Sequence, residues 1–599
     1  MRSPARVLNS LTKHSQTTEY RFERLYRILF NEEMYYLAYQ RIYAKPGNMT
    51  QGADGKTIDR MSLSRIEKLI ASLKDESYSP QPSRRMYIPK KNGKTRPLGV
   101  PSFDDKLVQE VVRMVLEAIY EGHFEDTSHG FRPHRSCHTA LNAVQKTFTG
   151  KKWFIEGDIK GFFDNVNHDI LIDILKERIS DERFIRLIRK FLKAGYLEQW
   201  QFHGTYSGMP QGGIISPILA NIYLDKLDKY MKEYASKFDK GDRGRQQREY
   251  EVLTYQKRLV MRELKTATNN VERKVLVKRL KEIDKTRSAM PCFDPMDGNF
   301  KRLKYVRYAD DFLIGIIVSK VKIKDDIKRF LADRLALELS DEKTLVTHTE
   351  KPAKFLGYEV AVRRSNLQKR NKRGSLSRVY GNKVRLKVTT EVIKKKLLEL
   401  GVLKFSYHNG HEQWIPKHRS ELINNDDLEI LDSYNAEIRG FYNYYSIANN
   451  ASELNTFHYI MQYSMYKTFA GKYRTTVRRI CQKYKRNGVF TVGYTVKNGQ
   501  VKERRLYNEG FKRKRPSYDR SIDRCPNPMP GVSTTSLIDR LKARKCELCG
   551  ATDNLVMHHV RKLGELKGKE NWEKLMIARR RKTMAVCGSC HQKIHHGTF

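Results

Sequence analysis

Three acids stand where they could do chemistry in this 599-residue chain. Asp310 and Asp311 sit side by side in "YVRYADDFLIG", within a run of aromatic and aliphatic residues. Asp158 ends the apolar stretch "WFIEGD". An unpaired buried charge is expensive, so adjacent carboxylates in such a setting call for a cation. The pattern predicts a β-hairpin with Asp310 and Asp311 at its tip. If the strand ending at Asp158 pairs beside it, Asp158 and Asp310 come together. Like charges that close need divalent cations between them. Mg²⁺ suits hard carboxylate oxygens and leaves positions open for water and phosphate. Two such ions, roughly 4 Å apart, can activate a 3′-hydroxyl and stabilise a departing pyrophosphate, which is nucleotidyl transfer. The plain alternative is a polar hairpin turn, since Asp suits turns. "GDIKGFFD" upstream and the attached "YVRYA" weigh against it.

A second constellation lies at the C-terminal end. "CELCG" and "CGSCH" supply Cys546, Cys549, Cys587 and Cys590. Four thiols in two CxxC pairs point to structural Zn²⁺. So small a segment could hardly build a core, and metal binding would supply much of its folding energy. An iron–sulfur cluster is the alternative. "MHHVRKLG" and "CHQKIHHG" add histidines: His558, His591 and His595 could hold a catalytic cation, and His559 could deprotonate a water for attack on phosphate. The alternative is a zinc ribbon that only binds DNA.

Composition limits the partners. The chain carries 115 Lys and Arg against 68 Asp and Glu, a formal charge of +47. That excess points to a polyanion. The longest apolar run near the acidic pair, "FLIGIIV", is too short to span a bilayer, so no membrane partner is expected. The first 30 residues do not read as a secretory signal. The length exceeds what one hydrophobic core serves, so several domains are expected.

The elements that must position these residues follow from periodicity. Residues 20–43 read as one helix, 104–121 as an amphipathic helix, and 169–195 as helix again. "RRMYIPKKNGKTRPLGVP" (84–101) reads as a hairpin turning at "KNGK". Residues 152–164 read as a buried strand ending in acids. The charged stretch from 230 to about 300, with a weak stripe of Val271, Val275, Leu280 and Ile283, reads as an inserted helical arm. "KFLGYEVAVRR" (354–364) is another β element. "YNAEIRGFYNYYSIANN" places Ile438, Phe441, Tyr442 and Tyr445 on one helix face. "NPMPGVSTTS" (527–536) reads as a linker.

"YADD", "GDIKGFFDNVNH", "SGMPQGGIISPILANIYL" and "KFLGY" resemble the ordered blocks of a reverse transcriptase. "HGFRPHRSCHTAL" is similar to the form found in group II introns. With the helical motif near 434, the basic stretch beyond it and the Cys/His module, nearly the whole chain resembles the multifunctional proteins encoded by bacterial or organellar group II introns. The resemblance implies an α+β multidomain architecture: right-hand polymerase fingers and palm over 1–364, an α-helical thumb and maturase domain over 365–500, a basic DNA-binding segment and linker over 501–540, and a zinc-containing ββα-metal (HNH) module over 541–599.

It also implies roles. Asp158 and Asp310 would be the main Mg²⁺ ligands, with Asp311 the third catalytic acid and the Ile159 carbonyl helping to hold a metal. Phe163 would pack under the incoming sugar and disfavour a 2′-hydroxyl. Gln211 would contact the incoming dNTP, with Gly212 and Gly213 allowing close backbone approach. Lys90 and Arg96, flanking the "KNGK" turn, could neutralise triphosphate charge. Lys343 would contact primer or simply solvate a turn. The arm near 240–290 would grip intron RNA; a solvated helical hairpin is the alternative. Lys472, Arg474, Arg478 and Arg479 are expected outward on nucleic acid. His558, His591 and His595 would hold a divalent cation, expected to be Mg²⁺, with His559 as general base. Arg579, Arg580 and Arg581 would hold phosphates of double-stranded target DNA. Many HNH modules carry an Asn shortly before the His that follows the second CxxC; Lys582 stands there, and the nearest Asn is Asn571. That departure puts the orientation of His559 in question.

Two rivals remain at this stage. One is a reverse transcriptase without an intron partner, of retron or defence type. The other is a non-enzymatic splicing factor, whose signature would be eroded acids. A bacterial cytoplasmic location is expected over an organelle.

Overall fold

The computed structural model describes residues 2–597, apart from 44–46, 90–94, 200, 295–296, 318–320, 364, 366, 371–373, 375, 379–380, 496–499, 524–536, 562 and 580. Lys90, Arg580 and the "NPMPGVSTTS" stretch therefore lie outside the described residues.

A four-stranded antiparallel sheet carries the acids. Its order is Arg302–Tyr308, Asp311–Ile317, Trp153–Asp158, Leu345–His348. The central strands are mostly apolar, Glu156 apart, because helices bury them. Phe103–Tyr120 and Ser216–Phe238 pack into the same core as Ile155, Phe312 and Ile314. The expected strand over 152–164 ends at Asp158, and Phe162–Asn165 forms a helical turn entered through Gly161. A second sheet, ordered Thr95–Val100, Ser83–Pro89, Tyr196–Glu198, Gln201–His203, stands beside the first.

Several expected elements differ in extent. Residues 20–43 are not one helix: a 3₁₀ turn, Tyr26–Phe30, precedes the helix Glu32–Ile42. The cause is Phe22, whose N–H donates to the Arg178 carbonyl and whose own carbonyl accepts from Ser180, tying the segment to another part of the chain. Residues 169–195 form two helices, His168–Lys176 and Glu182–Lys193, separated where Asp181 caps the second by accepting from Phe184 N–H. The arm begins after Phe238. It is a pair of helices, Arg248–Thr266 and Asn270–Ala289, around a small core of Val260, Ala267, Leu276 and Ile283. Of the expected stripe, Ile283 is buried and Leu280 packs against it, while Val271 and Val275 are exposed and Leu276 takes their place.

A second core joins the strands Ala353–Phe355, Tyr358–Arg363 and Lys383–Lys387 to the helices Asp427–Tyr445 and Leu454–Lys472. The expected boundary at 364/365 therefore falls between paired strands, Tyr358–Arg363 and Lys383–Lys387. The boundary at 500/501 likewise cuts the hairpin of Val489–Thr495 with Val501–Arg505. Ile438, Phe441, Tyr442 and Tyr445 are buried together, as their spacing predicts.

The C-terminal module is a hairpin, Leu555–His559 with Thr583–Cys587, followed by the helix Gly588–His596. The helix Leu537–Lys542 precedes it, earlier than the expected start at 541. The module has its own small core, yet Leu537, Ile538, Leu541, Met557 and Ala585 are continuous with the main core.

Candidate active sites and nucleic-acid interface

The antiparallel register sets Asp158 directly opposite Asp311, with Gly157 opposite Phe312. Asp310 lies in the turn between the two hairpin strands, so all three acids gather at one end of the sheet. Burial and the neighbouring Asp158 charge raise the Asp310 carboxyl, with Arg96 and Lys343 working against the rise. Asp311 opens to solvent at the tip. The protein packed around it, with Asp310 and Asp158, nevertheless pushes its carboxyl up to about 7. Carboxylates crowded this way favour a cation among them. Lys343 reaches this cluster: its Nζ stands 2.8 Å from Asp158 Oδ2. Ile159 continues the strand, bridged to Leu339, while Ser340 N–H donates to the Asp158 carbonyl.

The turn itself is braced from beneath. Arg307 donates to the Ala309 carbonyl at 2.8 Å, and Ala309 has a φ of +56°. Arg307 also donates to Asp228 and to Ser128 Oγ. Gly130 lies against the turn, where a Cβ would come 2.2 Å from Ala309 N. The "HGFRPHRS" motif is thus the floor of the acidic turn. Next to the acids, Tyr308 donates to Asp523, and Asp523 also accepts from Cys137 N–H. The segment around 517–523 is thus anchored on the hairpin that carries the acids.

Phe163 and Gln211 line one cleft of about 320 Å³, together with Arg85 and Tyr206. Asp164 is part of the lining; Asp158, Asp310 and Asp311 are not. Gln211 Oε1 accepts from Arg96 at 2.8 Å, and its carbonyl accepts from Gly99 N–H. At Gly212, φ is +118° and a Cβ would stand 2.4 Å from the Gly99 carbonyl, so only glycine allows that approach.

The four cysteine sulfurs lie within 4.8 Å of one another. Cys549 and Cys590 N–H groups point at the Cys546 and Cys587 sulfurs. Burial pushes the Cys546 thiol up, but backbone N–H donors from Cys549, Cys587 and Leu548 outweigh it and bring it down to about 7. Cys587 also caps the helix Gly588–His596, its sulfur accepting from the Cys590 N–H.

Across the module, His558, His591 and His595 converge, and a residue missed from the sequence joins them. Asp59 Oδ2 lies 3.0 Å from His591 Nε2 and 3.0 Å from His595 Nε2, and Asp59 Oδ1 lies 3.6 Å from His558 Nδ1. The four donors lie within 4.8 Å of one another. Nothing in "GKTIDRMS" signals this role, because the partner histidines lie some 500 residues away. Burial lowers His558 and His559 to about 4, so both rings are neutral, as a ligand and a general base need to be. Against burial, hydrogen bonds from His591 Nε2 and the His559 N–H hold the Asp59 carboxyl well below the usual range. His559 Nδ1 bonds to the Met557 carbonyl at 3.1 Å, which answers the question raised by Lys582: backbone, rather than an Asn, orients the ring.

The basic candidates divide. Arg474, Arg478 and Arg479 are exposed. Lys472 is not outward: its Nζ binds Asp427 at 2.7 Å and the Asn425 carbonyl at 2.7 Å. Asp427 also accepts from Tyr473 and Tyr484, so Lys472 completes an internal network. Arg579 and Arg581 turn toward Glu547, which Arg540 also engages. Three guanidiniums around one carboxylate leave a net positive patch. Among the described residues, no helix is long and apolar enough to cross a membrane.

Comparison with known proteins adds three matches. Residues 88–255 match the family described as "Reverse transcriptase (RNA-dependent DNA polymerase)", residues 382–514 "Type II intron maturase", and residues 546–591 "AI2M/AI1M-like, HNH endonuclease". The chain is 44% identical over 606 residues to "Group II intron-encoded protein LtrA" of Lactococcus lactis subsp. cremoris, covering 100% of both. It is 34% identical to "Putative COX1/OXI3 intron 1 protein" of Saccharomyces cerevisiae, covering 96% of this chain and 69% of that protein. It is also 34% identical to "Protein YkfC" of Escherichia coli, covering 58% of this chain and 84% of that one.

Proposed function

The chain belongs to the group II intron-encoded proteins, and on that premise we propose how its sites divide the work. It is an RNA-directed DNA polymerase that assists splicing of its group II intron RNA and nicks target DNA during intron mobility. The observation that carries the polymerase reading is the placing of Asp158 opposite Asp311, with Asp310 beside them.

In this reading residues 1–364 are fingers and palm, 365–500 the thumb and maturase, 501–540 a basic DNA-binding segment and linker, and 541–599 a ββα-metal module. Borders drawn so as to cut no strand pair would fall outside 353–387 and outside 489–505. Asp158, Asp310 and Asp311, with the Ile159 carbonyl, are the residues that would hold two Mg²⁺ ions. When bound, such ions supply charge neutralisation and a more acidic 3′-hydroxyl. Phe163 sits under the sugar, Gln211 and Gly212 position the incoming dNTP, and Arg96, with Lys90, faces the triphosphate. Lys343 gives up Asp158 and turns to primer or pyrophosphate. Arg474, Arg478 and Arg479 hold intron RNA phosphates, and the arm over 248–289 extends that grip. Splicing chemistry belongs to the RNA; the protein contributes binding energy.

The four cysteines fit Zn²⁺. His558, His591 and His595 fit a divalent cation, and three imidazoles suit Zn²⁺ or Ni²⁺ better than the expected Mg²⁺. That cation, when bound, polarises the scissile phosphate. His559 takes the proton from the attacking water at Nε2, while Nδ1 stays on the Met557 carbonyl. Arg579 and Arg581 exchange Glu547 for phosphates of double-stranded target DNA. A nick leaves a 3′-hydroxyl that the polymerase can extend on the intron RNA, and a bacterial cytoplasm suits both steps.

The test is primer extension on an RNA template with dNTPs and Mg²⁺, run with and without intron RNA. Extension by the native chain and its loss in Asp310→Ala are expected. A folded native chain that extends nothing, even with intron RNA, overturns the polymerase assignment. For the coupling, His559→Ala should abolish DNA-primed copying on an intact target and leave it on a pre-nicked one.

A further inference from the structure

The histidine cluster of the module faces the N-terminal body of the protein, with His558 and His591 buried and His595 half-open to solvent. Met557 N–H donates to the Met61 carbonyl at 2.8 Å, so residue 61 pairs with the edge of the module's hairpin. His559 N–H donates to Asp59 Oδ1 at 2.8 Å. Arg60, between these anchors, holds a φ of +60°, a costly conformation for a non-glycine residue. Arg65 braces the loop by donating to the Thr57 and Asp59 carbonyls.

Two features say what this contact is for. His558 is buried, and both its ring nitrogens lack a hydrogen-bond partner. A buried imidazole left this way, beside two other imidazoles and a carboxylate, has the chemistry of a metal ligand. His559 is closed as well. With Nδ1 donating to the Met557 carbonyl, Nε2 is the acceptor, and the buried Tyr39 hydroxyl occupies it at 3.1 Å. The nitrogen that would take a proton from water is covered by a residue of the main body.

The geometry points to Asp59 as the fourth ligand of the module's divalent cation and as a latch that keeps the nuclease shut. Three imidazoles and one carboxylate make a closed donor set for a borderline cation such as Zn²⁺, with Mn²⁺ a weaker, paramagnetic probe of the same donors, whereas a working site keeps a position open. The latch opens when a scissile DNA phosphate takes the place of Asp59. Undocking also withdraws Tyr39 from His559. Cutting is thereby tied to correct placement of target DNA. This inference rests on the nuclease reading above.

The experiment compares the full-length, zinc-retaining chain with Asp59→Asn, both carrying Asp310→Ala to remove the polymerase cluster. Mn²⁺ binding is followed by electron paramagnetic resonance, amide exchange over residues 555–560 by mass spectrometry, and nicking of intact target DNA with intron RNA present. Asp59→Asn is expected to weaken Mn²⁺ binding by roughly tenfold or more. It should speed exchange at Met557 and His559 and raise the initial nicking rate. Tyr39→Phe, which touches none of the four donors, should raise nicking while Mn²⁺ affinity holds. Unchanged Mn²⁺ affinity in Asp59→Asn overturns the ligand assignment. A fall in both affinity and nicking overturns the latch, because Asp59 would then be an ordinary catalytic ligand. A native chain that never nicks would sink the nuclease reading alone, and Mn²⁺ binding and exchange would still decide the role of Asp59.

Discussion

Arg307 and Asp228 form an ion pair in which neither side chain touches solvent. Tyr305 donates to the same carboxylate, and Arg307 carries the Ala309 carbonyl, so one buried pair fixes the turn that holds Asp310. Removing one partner leaves the other charge uncompensated. Arg307→Met should cost about 3–5 kcal/mol of stability. The check is chemical denaturation alongside primer extension, with both expected to fall.

Gly130→Ala separates the turn from the rest of the fold. The added Cβ would meet Ala309 backbone, which cannot step aside as a flexible side chain could. Primer extension should drop by roughly tenfold or more, since small misplacements at a catalytic centre are costly. The thermal midpoint should shift less than for Arg307→Met. Equal extension in the two proteins would mean the turn is not set by this contact.

The polymerase should need more Mg²⁺ as pH falls. The protein packed around it, with the Asp310 and Asp158 charges, holds the Asp311 carboxyl up at about 7, and Asp310 is raised too. Below that pH the free cluster takes up protons that a cation must displace; above it the acids are already ionised. The Mg²⁺ concentration for half-maximal extension, measured from pH 8 down to pH 6, should therefore rise. A flat profile would place the acids' titration well below this window.

Cys587→Ser should damage the module and spare the polymerase. It removes one of four gathered sulfurs and alters the cap of Gly588–His596. Zinc content should fall, nicking should be lost, and RNA-templated extension from an annealed primer should persist. Loss of extension as well would show that the module's seat on residues 39 and 61 supports the palm.

What could be read from the sequence was what local pattern controls. The apolar run "DFLIGII" and the aromatic face of Asp427–Tyr445 each specify burial through neighbours a few residues away, and both fold as their periodicity predicts. Helix borders were harder. The failure of 20–43 as one helix depends on Phe22 pairing near residue 179, a contact that no window of that segment contains. The same holds for charge. Lys472 reads as an outward base until Asp427 is brought beside it, and Arg579 until Glu547 is. Asp59 was invisible for the strongest form of this reason: its chemistry belongs to histidines on a different module.

The seating of the module on Tyr39, Asp59 and Met61 also has a consequence in time. These residues leave the ribosome early, and the strand they receive follows about 500 residues later. At ordinary synthesis speeds that gap is on the order of half a minute to two minutes. The core behind the seat reaches to Phe312, Ile314 and Leu339, so the seat takes shape part-way through that interval and then stands without an occupant. Whatever the nascent protein meets first, including the RNA that encodes it, meets that uncovered face before the nuclease exists.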